Sequence, residues 1–289
     1  MADVRLERPP DVTAFIDGAG AFLGAREAEN CLMLGIAASI AAGDYTDAYF
    51  AIIRKGADIA GVALRTPPFN ILLSVPFATE AMPTLVEDLA VVAPDLTGVG
   101  AEVSEAEAFA GLWAARMGVT ARHHMAERVF RLDQVAPPRS VGGAMREARP
   151  GDRPIIASWL RAFALEALGE RTDETSAGRV ADRWIAARGR RMHLWIDGRP
   201  TSLVGVSGET PHGIRVAPVY TPPELRGRGY ASALTAAVSQ AQLDAGRRSC
   251  FLFTDLANPT SNQIYRSIGY EPVCDVDDLR FGEPAAADT

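Results

Sequence analysis

Cysteine is scarce in this 289-residue chain. Three occur, Cys31, Cys250 and Cys274, far apart and without metal-ligand spacing, which argues against both a disulfide framework and a zinc site. A reducing cytoplasm is the simpler setting. Long apolar runs are lacking too. The stretch from Cys31 to Ala42 falls short of the ~20 residues that span a bilayer, and the opening MADVRLERPP shows no basic segment followed by an apolar core. Neither export nor a membrane span is expected. Positive charge is in deficit: 29 lysines and arginines against 36 aspartates and glutamates give a net charge of −7. That balance argues against a nucleic-acid partner held by phosphate neutralisation.

What is present is enough apolar material for a proper core, 48% hydrophobic residues with 22% charged. The length suggests two domains of ~100 to 200 residues each. The segment VAPPRSVGG, Val135 to Gly143, combines prolines that remove backbone donors with glycines that tolerate open conformations. The expected domains are therefore 1–135 and 143–289. After a short strand at Ala144 to Glu147, apolar residues at helical intervals predict helices at Asp152 to Leu168 and Arg179 to Gly189. Strands follow at Met192 to Ile196, Ser202 to Gly208 and Ile214 to Tyr220, then a helix from Gly229 to Ala245, a strand at Cys250 to Phe253 and a helix from Pro259 to Ile268. The N-terminal half predicts helices at Val12 to Leu23 and Glu27 to Ala41, and strands near Ala48 to Arg54, Ile59 to Leu64 and Ile71 to Val75. Helices at Thr79 to Leu89 and Glu105 to Met117 precede a strand at His123 to Leu132. The two halves share an element order, as an internal duplication of a mixed α/β (α+β) domain would produce.

The most informative stretch runs from Val219 to Ala231, VYTPPELRGRGYA, an apolar strand turning through glycines into a helix. Glycines let the main chain approach an anion closely, and unpaired N–H groups of a first helical turn can hydrogen-bond a pyrophosphate. Arg226 and Arg228 would add charge. A lone Gly-x-Gly also serves tight turns that bind nothing. The second stretch is Asn258 to Tyr270, NPTSNQIYRSIGY, with Asn258 as a helix cap and proline at the first helical position. Tyr265 lies seven residues after Asn258, about two turns at ~3.6 residues per turn, on the same side as the helix start. A core tyrosine is the alternative there.

Together these stretches resemble the GCN5-related N-acetyltransferase (GNAT) family, over the C-terminal half. The family's cofactor motif, Arg/Gln-x-x-Gly-x-Gly/Ala, is met by Arg226, Gly229 and Ala231. Its helix motif, Asn-x-x-Ala-x-x-Leu-Tyr-x-x-x-Gly-Phe, is met by Asn258, Tyr265 and Gly269, with departures at Ser261, Ile264 and Tyr270. The resemblance implies two GNAT-like mixed-sheet domains in tandem, with acetyl-CoA as co-substrate and the primary amine of a small molecule or protein as acceptor. It implies that the backbone around Val219, Tyr220 and Thr221 holds the pantetheine arm and acetyl carbonyl. Residues Arg226, Gly227, Arg228, Gly229, Tyr230, Ala231 and Ser232 would wrap the pyrophosphate, Asn258 would contact the pantetheine, and Tyr265 would protonate the departing thiolate.

Direct attack of an amine on a thioester needs positioning, an oxyanion donor and proton management rather than a metal. Pro218 favours a bulge or an edge. For the general base only location speaks, pointing to Glu209 and His212 in the turn before the third strand. His123 and His124 would face opposite ways on a strand and share no metal. Arg188, Arg190 and Arg191 form a small basic cluster near a helix end. In the N-terminal half Ser74 to Thr79, SVPFAT, stands where the glycine-rich turn should recur, so that half is expected to be degenerate. The competing readings are a non-catalytic acyl-CoA-binding or regulatory module and a Rossmann-type enzyme, which lacks its third glycine.

Overall fold

The computed structural model describes residues 4–282; the ends of the two expected domains, residues 1–3 and 283–289, lie outside the described residues. The chain forms two compact units, residues 4–129 with 273–282, and residues 130–272. In chain order the first contains β1 (Val4–Glu7), α1 (Val12–Gly24), α2 (Cys31–Ala41), β2 (Tyr49–Lys55), β3 (Asp58–Arg65) and β4 (Ile71–Leu73). It continues with α3 (Met82–Val92), β5 (Gly98–Glu102), α4 (Val103–Met117) and most of β6 (Thr120–Leu132). The second contains β7 (Ala144–Glu147), α5 (Arg153–Leu168), α6 (Glu174–Ile185), β8 (Arg190–Asp197), β9 (Arg199–Glu209) and β10 (Gly213–Tyr220). It ends with α7 (Tyr230–Asp244), β11 (Ser249–Asp255) and α8 (Pro259–Ser267), before β12 (Glu271–Gly282) carries the chain back to the first unit.

In the first unit the strands run in the order β1-β2-β3-β4-β5-β12. Alternation along β2 sorts its side chains to two faces. Ala51 and Ile53 join Leu85, Phe109 and Trp113 of α3 and α4, while Phe50 and Ile52 join Phe15, Leu23 and Met33 of α1 and α2. β12 runs antiparallel to β5, from Val276 opposite Glu102 to Arg280 opposite Gly98. β5 escaped sequence reading because of its glycines. A Cβ added at Gly98 would lie 2.2 Å from the Leu279 carbonyl oxygen and 2.7 Å from the Asn70 side chain, so close backbone approach decides this residue rather than strand propensity.

The second unit repeats the plan, with the order β11-β10-β9-β8-β7 beyond the end of β6. α5 and α6 cover one face through Ile156, Ala181 and Trp184 against Met192, Leu194 and Leu203. α7 and α8 cover the other, where Leu234, Val238 and Tyr265 meet Val204, Val206, Val216 and Leu252. α6 begins at Glu174, five residues before the apolar periodicity, because the Asp173 carboxylate accepts the Ser176 N–H at 2.9 Å and caps it. Among the described residues no helix is long and apolar enough to cross a membrane.

Candidate active site

The sheet of the second unit opens at β10. Parallel pairing with β11 runs only from Gly213 opposite Ser249 to Arg215 opposite Phe251, although the strands continue to Tyr220 and Asp255. On its other edge β10 slips register against β9 between Val216 and Val219. Pro218 sits in that slip, where a residue without an N–H is tolerated. Gly205 of β9 makes room: a Cβ there would be 2.7 Å from the Ala217 carbonyl oxygen and 2.9 Å from Pro218 Cδ. The strand end is then fixed from below. The buried Ser202 hydroxyl donates to the Tyr220 carbonyl at 3.0 Å and lies 2.9 Å from the Thr221 hydroxyl.

After Thr221 the chain makes a short 3-10 turn, Pro223–Leu225, and reaches α7 through Gly227 (φ 74°) and Gly229 (φ 86°). Both glycines occupy the left-handed region that other residues avoid. Gly227 faces open space, whereas a Cβ on Gly229 would stand 2.9 Å from Val141 Cγ1. Gly229 is the N-cap of α7, and no side chain caps the helix. The first-turn N–H groups therefore keep their capacity to bind an anion. Tyr230 is buried and donates to Asp197 at 2.6 Å, while Ala231 and Ser232 are half-buried.

The two arginines of the turn behave differently. Arg226 donates through Nε to the Thr221 carbonyl at 2.9 Å and forms an ion pair with Glu166 of α5, its guanidinium 5.8 Å over the Tyr220 ring. Glu166 also accepts the Tyr220 hydroxyl at 3.1 Å, and burial followed by this bond pushes the Tyr220 phenol up to about 12. Arg226 thus braces the turn against α5. Arg228 is exposed, reaches the Glu224 carbonyl at 3.4 Å and lies beside the Tyr230 hydroxyl; without a carboxylate partner among the described residues, it is the cation better placed for a ligand. Glu166, Gly205 and Ser202 were not legible as site residues, since their partners lie far away in sequence.

At the start of α8 the Asn258 side chain accepts the Ser261 N–H at 3.1 Å, as a cap should. Two turns on, Tyr265 is buried in the same apolar cluster as Val216 and Tyr230, with its ring 6.5 Å from Phe130 and edge-on to Tyr270 at 6.0 Å. The neighbouring Tyr270 hydroxyl bonds Ser239 at 2.9 Å, whereas the Tyr265 hydroxyl has no partner among the described residues. Burial pushes its phenol up to about 12, so at neutral pH it keeps its proton and can donate it in a hydrogen bond. A phenol that ionises near 10 when unfolded and near 12 when folded contributes stability fully present below pH 10. That contribution of about 2–3 kcal/mol disappears as pH rises through 12. Denaturant titrations at pH 9 and pH 12 should therefore show a smaller loss in Tyr265→Phe than in the parent, and equal losses would contradict the buried phenol.

The location argument for the base fails. Glu209 pairs with Ile214 at the opposite end of β10 from Tyr220, and six residues of strand at ~3.3 Å each separate them by roughly 20 Å. Its carboxylate is engaged by Arg247 at 2.5 Å, and His212 lies in the same distant turn.

In the first unit the corresponding strand end is filled by its own chain. β4 pairs with β5 only at Ile71 and Leu72. Beyond them the buried Asn30 side chain donates to the Val75 carbonyl at 2.8 Å and accepts the Val75 N–H at 2.8 Å, with further bonds to the Leu23 and Arg26 carbonyls. Asn30→Ala strands these groups and should cost about 3 kcal/mol in chemical denaturation; a loss below about 1 kcal/mol would mean the plug is not structural.

A family model described as FR47-like protein matches residues 196–276, the segment holding the open strands, the glycine turn and α8. Among solved structures the chain is similar over 98% of its length to 99% of a Drosophila protein, at TM-score 0.67 and 12% identity. A tandem GNAT protein from the clavulanic acid biosynthesis pathway superposes at TM-score 0.57 and 15% identity, covering 98% of this chain and all of that one (100%). A GCN5-related N-acetyltransferase from Sphaerobacter thermophilus does so at TM-score 0.57 and 17% identity, over 97% of this chain and 95% of its own. No curated protein matches by sequence. The protein has the mixed α/β GNAT fold. More particularly, it is a tandem GNAT-fold protein in which the motif-bearing unit is the C-terminal one.

Proposed function

We propose that the protein is an N-acetyltransferase that uses acetyl-CoA and acts on a primary amine of a small molecule or protein in the cytoplasm. The observation that carries this reading is the parting of β10 from β11 beside a glycine turn that feeds an uncapped helix. Acetyl-CoA, when bound, supplies an acyl group activated as a thioester. The backbone of Val219, Tyr220 and Thr221 holds the pantetheine arm and the acetyl carbonyl, with the Val219 and Thr221 N–H groups stabilising the oxygen as it gains charge. The turn from Arg226 to Ser232 takes the pyrophosphate at the positive end of α7, and Asn258 lines the pantetheine side. Tyr265 donates the hydrogen bond, and finally the proton, that the departing sulfur needs.

Burial keeps its phenol protonated at neutral pH, so the proton is in place when negative charge develops on the sulfur. The chain's net charge of −7 favours a cationic acceptor. The acceptor ammonium gives its proton to water or enters already neutral, since Glu209 and His212 lie at the wrong end of the strand. Thiol release from acetyl-CoA, screened over a panel of small amines and lysine peptides, tests the proposal. Amine-dependent release is the expected outcome. Tight binding of acetyl-CoA without release for any amine would instead favour a binding module.

A further inference from the structure

A second concave site lies at the other end of β10, and neither the motifs nor the family likeness account for it. It is a cleft of about 920 Å³ between the start of β8, the β9–β10 turn and the last turn of α7, the size of a small-molecule site. Ile214 lines it, whereas the glycine turn follows Tyr220 at the far end of the strand. Four arginines, Arg190, Arg191, Arg247 and Arg248, border it with two glutamates, Glu147 and Glu209. The glutamates are engaged, Glu147 by Arg191 at 3.1 Å and Glu209 by Arg247 at 2.5 Å. Four positive against two negative charges leave the rim with an excess of two. The exposed Arg248 guanidinium has no partner among the described residues. Two of the cluster predicted to serve a helix end, Arg190 and Arg191, instead begin β8 and belong to this rim.

An independent feature lies in the wall of the same cleft. His193, opposite Val204 in the sheet, lines the cleft and is only 4% exposed, yet its Nδ1 has no hydrogen-bond partner. Burial lowers its pKa below the ordinary histidine value, outweighing a backbone contact with Val204 that raises it, so it is a neutral ring whose Nδ1 is unmet. Such atoms are rare in folded proteins and costly where nothing satisfies them. A ligand that brings an oxyanion to the arginines and a polar atom to Nδ1 answers both features, because guanidinium forks bind carboxylate and phosphate oxygens in pairs.

We propose that this cleft is a second binding site, for a small oxyanion-bearing metabolite with a carboxylate or phosphate group, held by Arg248 at the rim and His193 at the floor. The assignment stands whether or not the protein transfers acetyl groups. It is tested by recording the imidazole nitrogen resonances of the four histidines in the full chain while adding inorganic phosphate or citrate to about 20 mM. Sodium chloride at matched ionic strength is the control. The expected result is a saturable shift of the His193 signal with at least one probe, phosphate alone marking a phosphate ligand and citrate alone a carboxylate. Arg248→Ala, an exposed change that should leave the fold intact, is expected to weaken that response about tenfold. No saturable shift with either probe, an equal response to sodium chloride, or unaltered affinity in the Arg248 variant would overturn the proposal.

Discussion

Gly229→Glu is expected to abolish acetyl-CoA binding, raising Kd by more than about 100-fold. Three effects act together at this residue. Its φ of 86° disfavours any side chain, and the first carbon of that side chain would stand 2.9 Å from Val141 Cγ1. A carboxylate beside the first turn of α7 would also occupy the N–H groups left without a side-chain cap. Finally it would repel the pyrophosphate. Strain alone at a left-handed glycine costs about 1 kcal/mol, so Gly227→Ala, which meets nothing within 4 Å, is the control for backbone effects. It should lose a little stability and retain most binding. Calorimetric titration of both variants, with thermal unfolding alongside, separates loss of the cradle from loss of the fold. Unchanged affinity in a folded Gly229→Glu would remove the cradle assignment.

Tyr265→Phe should do the reverse, sparing acetyl-CoA affinity while lowering kcat about 100-fold. The separation is possible because the hydroxyl has no partner to lose among the described residues, while the ring stays packed against Phe130 and Tyr270. Stability near neutral pH should hardly change. The parent's rate should show no tyrosine ionisation below pH 10, because burial holds this phenol up to about 12. Steady-state kinetics with an active amine measure the split, and turnover equal to the parent would remove Tyr265 as the proton donor.

What the sequence disclosed was local. The glycine turn, the cap at Asn258 and the helical period of α5 and α7 are short-range chemistry, and each appears in the structure where its residues imply. The slip at Pro218 was legible for the same reason, since a missing N–H acts where it stands. What escaped depends on partners distant in the chain. β5 is glycine-rich because Leu279 crosses Gly98. β12 returns to the first unit after the whole second unit has been built. The ion pair of Arg226 with Glu166, sixty residues away, has no local signature. For the first unit the sequence showed only that the glycine-rich turn does not recur. There Asn30 ties down the chain beyond β4 through both polar groups of Val75, forty-five residues away.

The most direct test of a single working site in the C-terminal unit is calorimetric titration of the intact chain with acetyl-CoA, with NADH and ATP as controls. One mole of acetyl-CoA per mole of chain, with no response to NADH or ATP, is the predicted result. Two sites per chain would show that Asn30 does not close the first unit, and no binding at all would contradict the cradle on which the proposed chemistry depends.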